Sequence, residues 1–223
     1  MKKLLSCALV LTMLFSMAGC AKKGGYKSSE KKMISALEAV FDAEEMSAKT
    51  KKKVKKSRMK DFEEYFDGSS YVIFNEEDFE DIDADEDDMG MDPENMKNML
   101  MFRKFEGESS FASLLIETTD KDAAEECFEY VTKSMNLKTL KKQLKKAKAD
   151  YGIEEDDNKI ALIYVSNSKV MGLFFEVNGT TVTMIEYEGN EDTDLLEEYY
   201  DFMREIGYTD MEALLDGGEE DDD

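Results

Sequence analysis

Apolar residues recur every three or four positions in several parts of the chain, which is the spacing of one face of an α-helix. The pattern predicts a helix over residues 29–46, and a continuation of helix through the lysine-rich segment that follows. A further helix is predicted to begin after Thr119 or Asp120, either of which can cap it. Its apolar face shifts after Asn136, so the helix either breaks there or a second helix begins. Gly152 is predicted to end this helical region. The last long helix covers residues 195–206 and ends at Gly207.

Alternating or continuous runs of β-branched and aromatic residues predict strands over residues 71–74, 110–118, 160–165, 170–177 and 180–187. Pro93 allows a short helix through Asn95 to Leu100, whereas Met99 to Phe105 could equally be a strand. Asn178-Gly179 is a strong hairpin signal. A two-residue turn there places Val177 opposite Thr180, Phe175 opposite Val182 and Leu173 opposite Met184, on the face that we assign to the core.

This order of elements predicts an α+β fold, in which an antiparallel β-sheet has amphipathic helices packed on one face. An N-terminal helical segment and an acidic loop precede the sheet. The hairpin pattern argues against a parallel, doubly wound sheet. The predicted divisions are a signal peptide (1–19), a tether (20–30), a helical region with the acidic loop (31–92), an α+β domain (93–215) and an acidic tail (216–223).

The N-terminus has the layout of a secretory signal, with Lys2 and Lys3 before an apolar run that is too short to span a bilayer comfortably. Its end, Met17-Ala18-Gly19-Cys20, resembles the lipobox of bacterial lipoproteins. The resemblance implies cleavage before Cys20, acylation of the Cys20 thiol and attachment to the extracytoplasmic face of the cell membrane. The alternative is an ordinary signal peptide with an incidental cysteine.

Charge and cysteine content limit the partners and the chemistry of the chain. Removal of residues 1–19 takes away two lysines and no acids, so the formal charge falls from −23 to −25, which argues against nucleic acid as a partner. After cleavage, Cys127 is the one cysteine besides the proposed lipid site, so no intramolecular disulfide is expected. Cys127 falls on the apolar stripe of its helix and is expected to be a small buried hydrophobe rather than a reactive thiol.

The composition also restricts catalysis. The chain has no histidine, which excludes Ser-His-Asp and Cys-His mechanisms and histidine-ligated zinc. It carries no glycine-rich phosphate-binding motif, and we expect no cofactor. A hydrolase with an unrecognised pair of carboxylates stays open as an alternative, although no pair stands out. We therefore expect a non-catalytic protein.

An acidic tract over residues 76–92 offers a second alternative, a divalent-cation binding protein. Asp83, Asp85, Asp87 and Glu94 match positions 1, 3, 5 and 12 of a calcium loop. Position 6 requires the sharp turn that glycine allows, and Asp88 occupies it. A solvated loop without a metal site is the competing interpretation.

Two basic segments, residues 49–60 and 138–148, are candidates for contact with anionic headgroups next to a lipid anchor. The second segment carries Lys138, Lys141, Lys142, Lys145, Lys146 and Lys148. The alternatives are that these lysines are solvated, or that they pair with the acidic residues of the protein itself.

Two further runs in the body carry a second resemblance: Ile116-Glu117-Thr118-Thr119-Asp120 leading into Ala123-Ala124-Glu125-Glu126, and residues 200–208 near the end. With the lipobox, they resemble small lipoproteins of clostridia-like Gram-positive bacteria, a family without an established activity. The resemblance implies fold and location only. The sequence therefore predicts a lipid-anchored, extracytoplasmic binding or interaction module at the cell surface, with a protein partner in the cell envelope.

Overall fold

The computed structural model describes residues 25–56, 64–79 and 95–217. The helices in these ranges are α1 (Gly25–Phe41), α2 (Ala48–Val54), α3 (Glu76–Phe79), α4 (Lys121–Met135), α5 (Leu137–Ala147), α6 (Asp194–Ile206) and α7 (Met211–Asp216). The strands are β1 (Glu44–Glu45), β2 (Ser70–Asn75), β3 (Met96–Glu106), β4 (Ser109–Thr118), β5 (Asp150–Asp156), β6 (Lys159–Ser166), β7 (Lys169–Asn178) and β8 (Thr181–Asn190).

The strands of the described ranges form one eight-stranded sheet in the order β1-β2-β3-β4-β8-β7-β6-β5. The short β1 pairs with β2 in parallel, and every other neighbouring pair is antiparallel. The long β4–β8 pairing joins the block β2–β4 to the block β5–β8. The predicted α+β class with an antiparallel sheet is confirmed.

Helices cover both faces of this sheet, whereas the sequence analysis placed them on one. Leu173, Phe175 and Met184 lie in the core beneath α4, as predicted. The intervening residues of the same strands, such as Phe174 and Ile185, are also fully buried and pack beneath α1 and α6 on the opposite face. Because β7 and β8 carry apolar residues at consecutive positions, both faces of the sheet need a covering layer.

The β7–β8 hairpin has a register two residues away from the predicted one. Asn178 pairs with Thr181 and Val177 with Val182, so that Gly179 and Thr180 form the turn and Phe175 lies opposite Met184. Gly179 has φ +63°, a conformation that glycine adopts without steric cost. The Thr180 carbonyl accepts a hydrogen bond of 2.9 Å from the Thr118 backbone amide, which holds the turn against the end of β4. A shift of two residues leaves each side chain on its predicted face.

The structure corrects one further prediction, the helix end at Gly152, and decides between the two alternatives for the segment after Pro93. The helix expected to reach Gly152 ends at Ala147, where Lys148 adopts a left-handed conformation (φ +52°), and Gly152 lies inside β5. Residues 96–106 form strand β3, so the strand alternative is confirmed for this segment.

At the N-terminus, α1 begins at Gly25, inside the segment 20–30 that was predicted as a tether. The reason is the side chain of Tyr26, which is only 2% exposed and packs into the core between the sheet and α1. The first residue of α1 is therefore five residues after Cys20 in the sequence.

Candidate binding surface

Helix α5 presents the clearest charged surface in the described part of the chain. Asn136 ends α4 in a left-handed conformation (φ +45°), and its side-chain oxygen accepts a hydrogen bond of 3.2 Å from the Thr139 amide at the start of α5. Leu144 is buried on the inner side of α5, against Leu162 and Tyr164 of β6. The lysines therefore occupy the outer side of the helix.

We call this outer side the lysine face of α5. Its members are Lys138, Lys141, Lys142, Lys145, Lys146 and Lys148. All are exposed except Lys141, which is partly exposed. Lysines one helical turn apart are about 6 Å apart along the axis, so the face is a dense row of ammonium groups.

Five of the six lysines on this face differ from the lysines of the neighbouring α4 in their ion pairing. Within residues 25–56, 64–79 and 95–217, no carboxylate forms an ion pair with Lys138, Lys141, Lys142, Lys146 or Lys148. On the neighbouring α4, by contrast, Lys121 pairs with Glu125 and Lys133 with Glu129. In a chain of formal charge −23, these unpaired cations are available to an anionic partner.

The first basic segment is used within the fold. Lys51 and Lys55 of α2 lie 2.5 Å and 2.9 Å from the two carboxylate oxygens of Asp78, which is buried after β2. Burial raises the pKa of Asp78, but the hydrogen bonds from Lys51, Lys55 and the Asn75 backbone outweigh it and hold that pKa below its ordinary value. Part of this segment therefore pairs with the protein's own acids, which was one of the alternatives. Its members from residue 57 onward lie outside the described residues.

Helix α2 borders two surface depressions. One, of about 350 Å³, is lined by Lys51, Lys52, Lys55, Lys56, Ala48 and Asp78. The other, of about 340 Å³, lies beside β1 and has acidic walls that include Asp42, Glu44, Glu45 and Asp67. Hydrogen bonds from the Ser69 backbone amide and hydroxyl lower the pKa of Asp67. These contacts favour the charged form of Asp67, but they are internal to the protein and indicate no ligand.

The predicted lipid and calcium residues lie outside the described residues. They are Cys20, Asp83, Asp85, Asp87 and Glu94. In the part of the chain that the structure describes, no group of three or more Cys, Asp or Glu side chains is arranged to hold a metal ion. Both the acylation of Cys20 and the calcium loop therefore stay predictions.

Cys127 lies on the inner side of α4, and burial raises the pKa of its thiol to about 12. Such a thiol stays protonated at neutral pH, so it lacks the thiolate that nucleophilic chemistry requires. The prediction that Cys127 is a small buried hydrophobe is confirmed by its 2% exposure.

The sequence analysis missed a second group of lysines, on the first turns of α1. Lys27, Lys31 and Lys32 are exposed on the outer side of this helix. Lys27 forms an ion pair of 2.9 Å with Glu30, while Lys31 and Lys32 form no ion pair in the described ranges. Burial raises the pKa of Glu176 on β7, and the charge of Lys32 opposes that rise, so Lys32 acts on this carboxylate from a longer distance. The helical spacing of these lysines is visible in the sequence. It was overlooked because the predicted tether extended to residue 30 and so included Lys27.

None of the helices in the described ranges combines the length and the apolar character needed to cross a bilayer.

No protein family and no curated protein matches the chain. Among solved structures, the chain shows a distant likeness to the extracellular domain of PknH from Mycobacterium tuberculosis, with a TM-score of 0.28 and 10% sequence identity. The matched region covers 50% of this chain and 65% of that domain. A likeness at this level carries no inference about ligands or activity.

Proposed function

We propose that the protein is a lipid-anchored, extracytoplasmic binding module without catalytic activity. An acylated Cys20 holds it in the membrane, and the lysine face of α5 binds an anionic partner of the cell envelope. The observation that supports binding is that Lys138, Lys142, Lys146 and Lys148 are exposed and pair with no acid of the described ranges, in a strongly acidic chain. The lipobox resemblance at Cys20 supports the anchor.

The chemistry of the lysine face of α5 favours an extended polyanion over a folded protein. The face is a row of hydrated point charges, and it contains no aromatic side chain. Interfaces between folded proteins concentrate their binding energy in buried aromatic and arginine residues. A flexible polymer that carries phosphate or carboxylate groups needs only the row of charges, since its affinity comes from neutralised charge and released counterions.

The anchor is tested by cell fractionation and mass spectrometry of the wild-type protein beside Cys20→Ala. We expect the wild-type protein in the membrane fraction, with a lipid-modified N-terminal Cys20, and the variant in the soluble fraction. Release of both proteins to the same extent, with an unmodified Cys20, would reject the anchor.

The binding surface is tested with the unacylated chain from residue 20 onward, carrying Cys20→Ser, and inorganic polyphosphate as the probe. K138Q/K142Q/K146Q should weaken polyphosphate binding about a hundredfold, since three lysines at about 1 kcal/mol each at an anionic surface amount to about 3 kcal/mol. It should also reduce the dependence of binding on salt. K121Q/K133Q/K169Q is the matched control, since it removes the same charge from exposed lysines that already pair with Glu125, Glu129 and Glu108. Equal losses in the two variants would contradict a site on α5.

A further inference from the structure

We propose that the anchored protein contacts the membrane through the first turns of α1, with Lys27, Lys31 and Lys32 against anionic phospholipid headgroups, and that the lysine face of α5 points away from this membrane. The proposal rests on the acylation of Cys20 proposed above. It assigns the lysines of α5, expected from the sequence to face the membrane, to the opposite side of the anchored protein.

The length of the link between lipid and body is the first argument. Gly25, where α1 begins, is five residues after Cys20. A chain spans at most about 3.6 Å per residue, so this link reaches about 18 Å when fully extended. Tyr26 is 2% exposed and packed in the core, so the link gains no length by unwinding α1 without exposing that ring.

The second argument is that α1 and α5 cover opposite faces of the sheet. Helix α1 packs on the face that carries Phe102 and Phe174. Helix α5 packs through Leu144 on Leu162, which pairs with Leu173 on the other face. The sheet therefore lies between the two groups of lysines.

The thickness of these layers exceeds the reach of the link. A helix with its side chains is about 10–12 Å across, and a sheet layer is about 10 Å thick. A body that rests on the lysine face of α5 would hold Gly25 behind the α5 layer and the sheet, more than about 20 Å from the lipid surface. The link of about 18 Å does not reach that far, whereas a body that rests on α1 places Gly25 at the lipid surface.

The charges around the start of α1 suit an anionic lipid surface. Lys27 and Lys31 are one turn apart on the exposed side, and Lys32 lies beside them. A cluster of lysines at such a surface is a useful second signal beside an acyl chain. Glu198 of α6 lies beside the other end of α1, because Lys104 contacts both Glu198 (2.6 Å) and the ring of Phe41 (5.4 Å).

The test is a lysine-reactivity footprint of the natural lipoprotein, read by mass spectrometry after brief treatment with an amine acylating reagent. The protein is compared in phosphatidylglycerol vesicles, in phosphatidylcholine vesicles and in neutral detergent. The reagent attacks the uncharged amine, and a surface potential of about −30 mV lowers the uncharged fraction about threefold. We expect Lys27, Lys31 and Lys32 to react about threefold more slowly, or slower still, in phosphatidylglycerol than in detergent.

The matched internal control is Lys138, Lys142 and Lys146, whose reactivity should be the same in vesicles and in detergent. Protection of these α5 lysines instead of the α1 lysines, equal protection of both groups, or protection of neither would overturn the proposal. Protection of the α1 lysines that is as strong in phosphatidylcholine would overturn the headgroup contact. Failure of the anchor is seen separately, because an unmodified Cys20 and loss of vesicle flotation reject the proposed function and not the orientation.

Discussion

The backbone of Leu214 lies directly over Gly152: a Cβ atom built on Gly152 would stand 1.9 Å from the Leu214 carbonyl oxygen. Gly152 belongs to β5 at the edge of the sheet, and Leu214 belongs to α7. The absence of a side chain lets the helix backbone rest on the strand. This contact closes the edge of the sheet on the face that α1 and α6 also cover.

Gly152→Ala should therefore destabilise the protein. The added methyl group meets backbone atoms, which move less readily than a side chain, and overpacking of this kind costs about 1–3 kcal/mol. Urea unfolding followed by far-ultraviolet circular dichroism measures the loss. Gly107→Asn is the control, because nothing lies within 4 Å of a Cβ at Gly107 and asparagine tolerates its positive φ of +60°. An unchanged unfolding midpoint for Gly152→Ala would contradict the close approach.

The same glycine illustrates which parts of the fold the sequence predicts. Strands β7 and β8 and helix α6 follow from apolar periodicity, which is a local signal. The role of Gly152 depends on its contact with Leu214, which is distant in the sequence. The local pattern alone therefore predicts that Gly152 ends a helix. The real end of α5 is a lysine, Lys148, in a conformation that propensity assigns to glycine or asparagine.

The candidate surfaces also include some features that local sequence predicts and others that depend on contacts between distant residues. The lysine face of α5 was predictable, since Leu140 and Leu144 fix the inner side of an amphipathic helix and leave the lysines outside. The pairing of Lys51 with Asp78 joins residues from separate elements, and no local spacing indicates it. The proposed orientation at the membrane was not predictable either, because it depends on which face of the sheet each helix covers.

Asp78→Asn should lower the free energy of unfolding by about 1.5–3 kcal/mol at pH 7, the range for hydrogen bonds to a charged group. The substitution leaves Lys51 and Lys55 close together without the carboxylate that both contact. Urea unfolding measures the difference, and Asp67→Asn is the control carboxylate at an exposed turn. A loss no larger than that of the control would contradict a stabilising role.

The effect of Asp78 should also depend on pH. Its folded pKa lies below the ordinary value, so the folded state favours the charged carboxylate. The contribution is fully present above the unfolded pKa, about 3.9, and is lost as the pH falls through the lower folded pKa. The stabilities of the wild-type protein and Asp78→Asn should converge as the pH is lowered through this window. A constant difference from pH 7 to pH 2.5 would refute this assignment.

Cys127 should be unreactive until the protein unfolds. A thiol whose pKa is about 12 forms little thiolate at pH 8, and its burial blocks the reagent. In the Cys20→Ser variant, Cys127 is the one thiol left after residue 19, so Ellman's reagent reports on it alone. We expect modification about a thousandfold slower than that of a small free thiol, and rapid modification in urea. Fast modification of the folded protein would show that α4 opens.

The acidic tract should not confer a calcium-selective effect. Asp88 stands where a calcium loop needs glycine, so the ligands at Asp83, Asp85 and Asp87 lack the turn that brings them together. Thermal unfolding of the Cys20→Ser chain with calcium, magnesium or a chelator measures this, because a ligand that binds only the folded state must stabilise it. A site of millimolar affinity at 10 mM calcium would add about 1.4 kcal/mol. We expect calcium and magnesium to act alike, by screening of the acidic surface.

Two variants with equal charge changes separate screening from a site. D83N/D85N/D87N removes three of the candidate ligands, and D221N/D222N/D223N removes three acids of the C-terminal tail. Screening predicts that the two variants respond to both ions in the same way, because it depends on charge density and not on ligand geometry. A rise with calcium but not magnesium, lost only in D83N/D85N/D87N, would instead establish a calcium site at this tract. The metal-binding segment would then lie between α3 and β3 in the sequence.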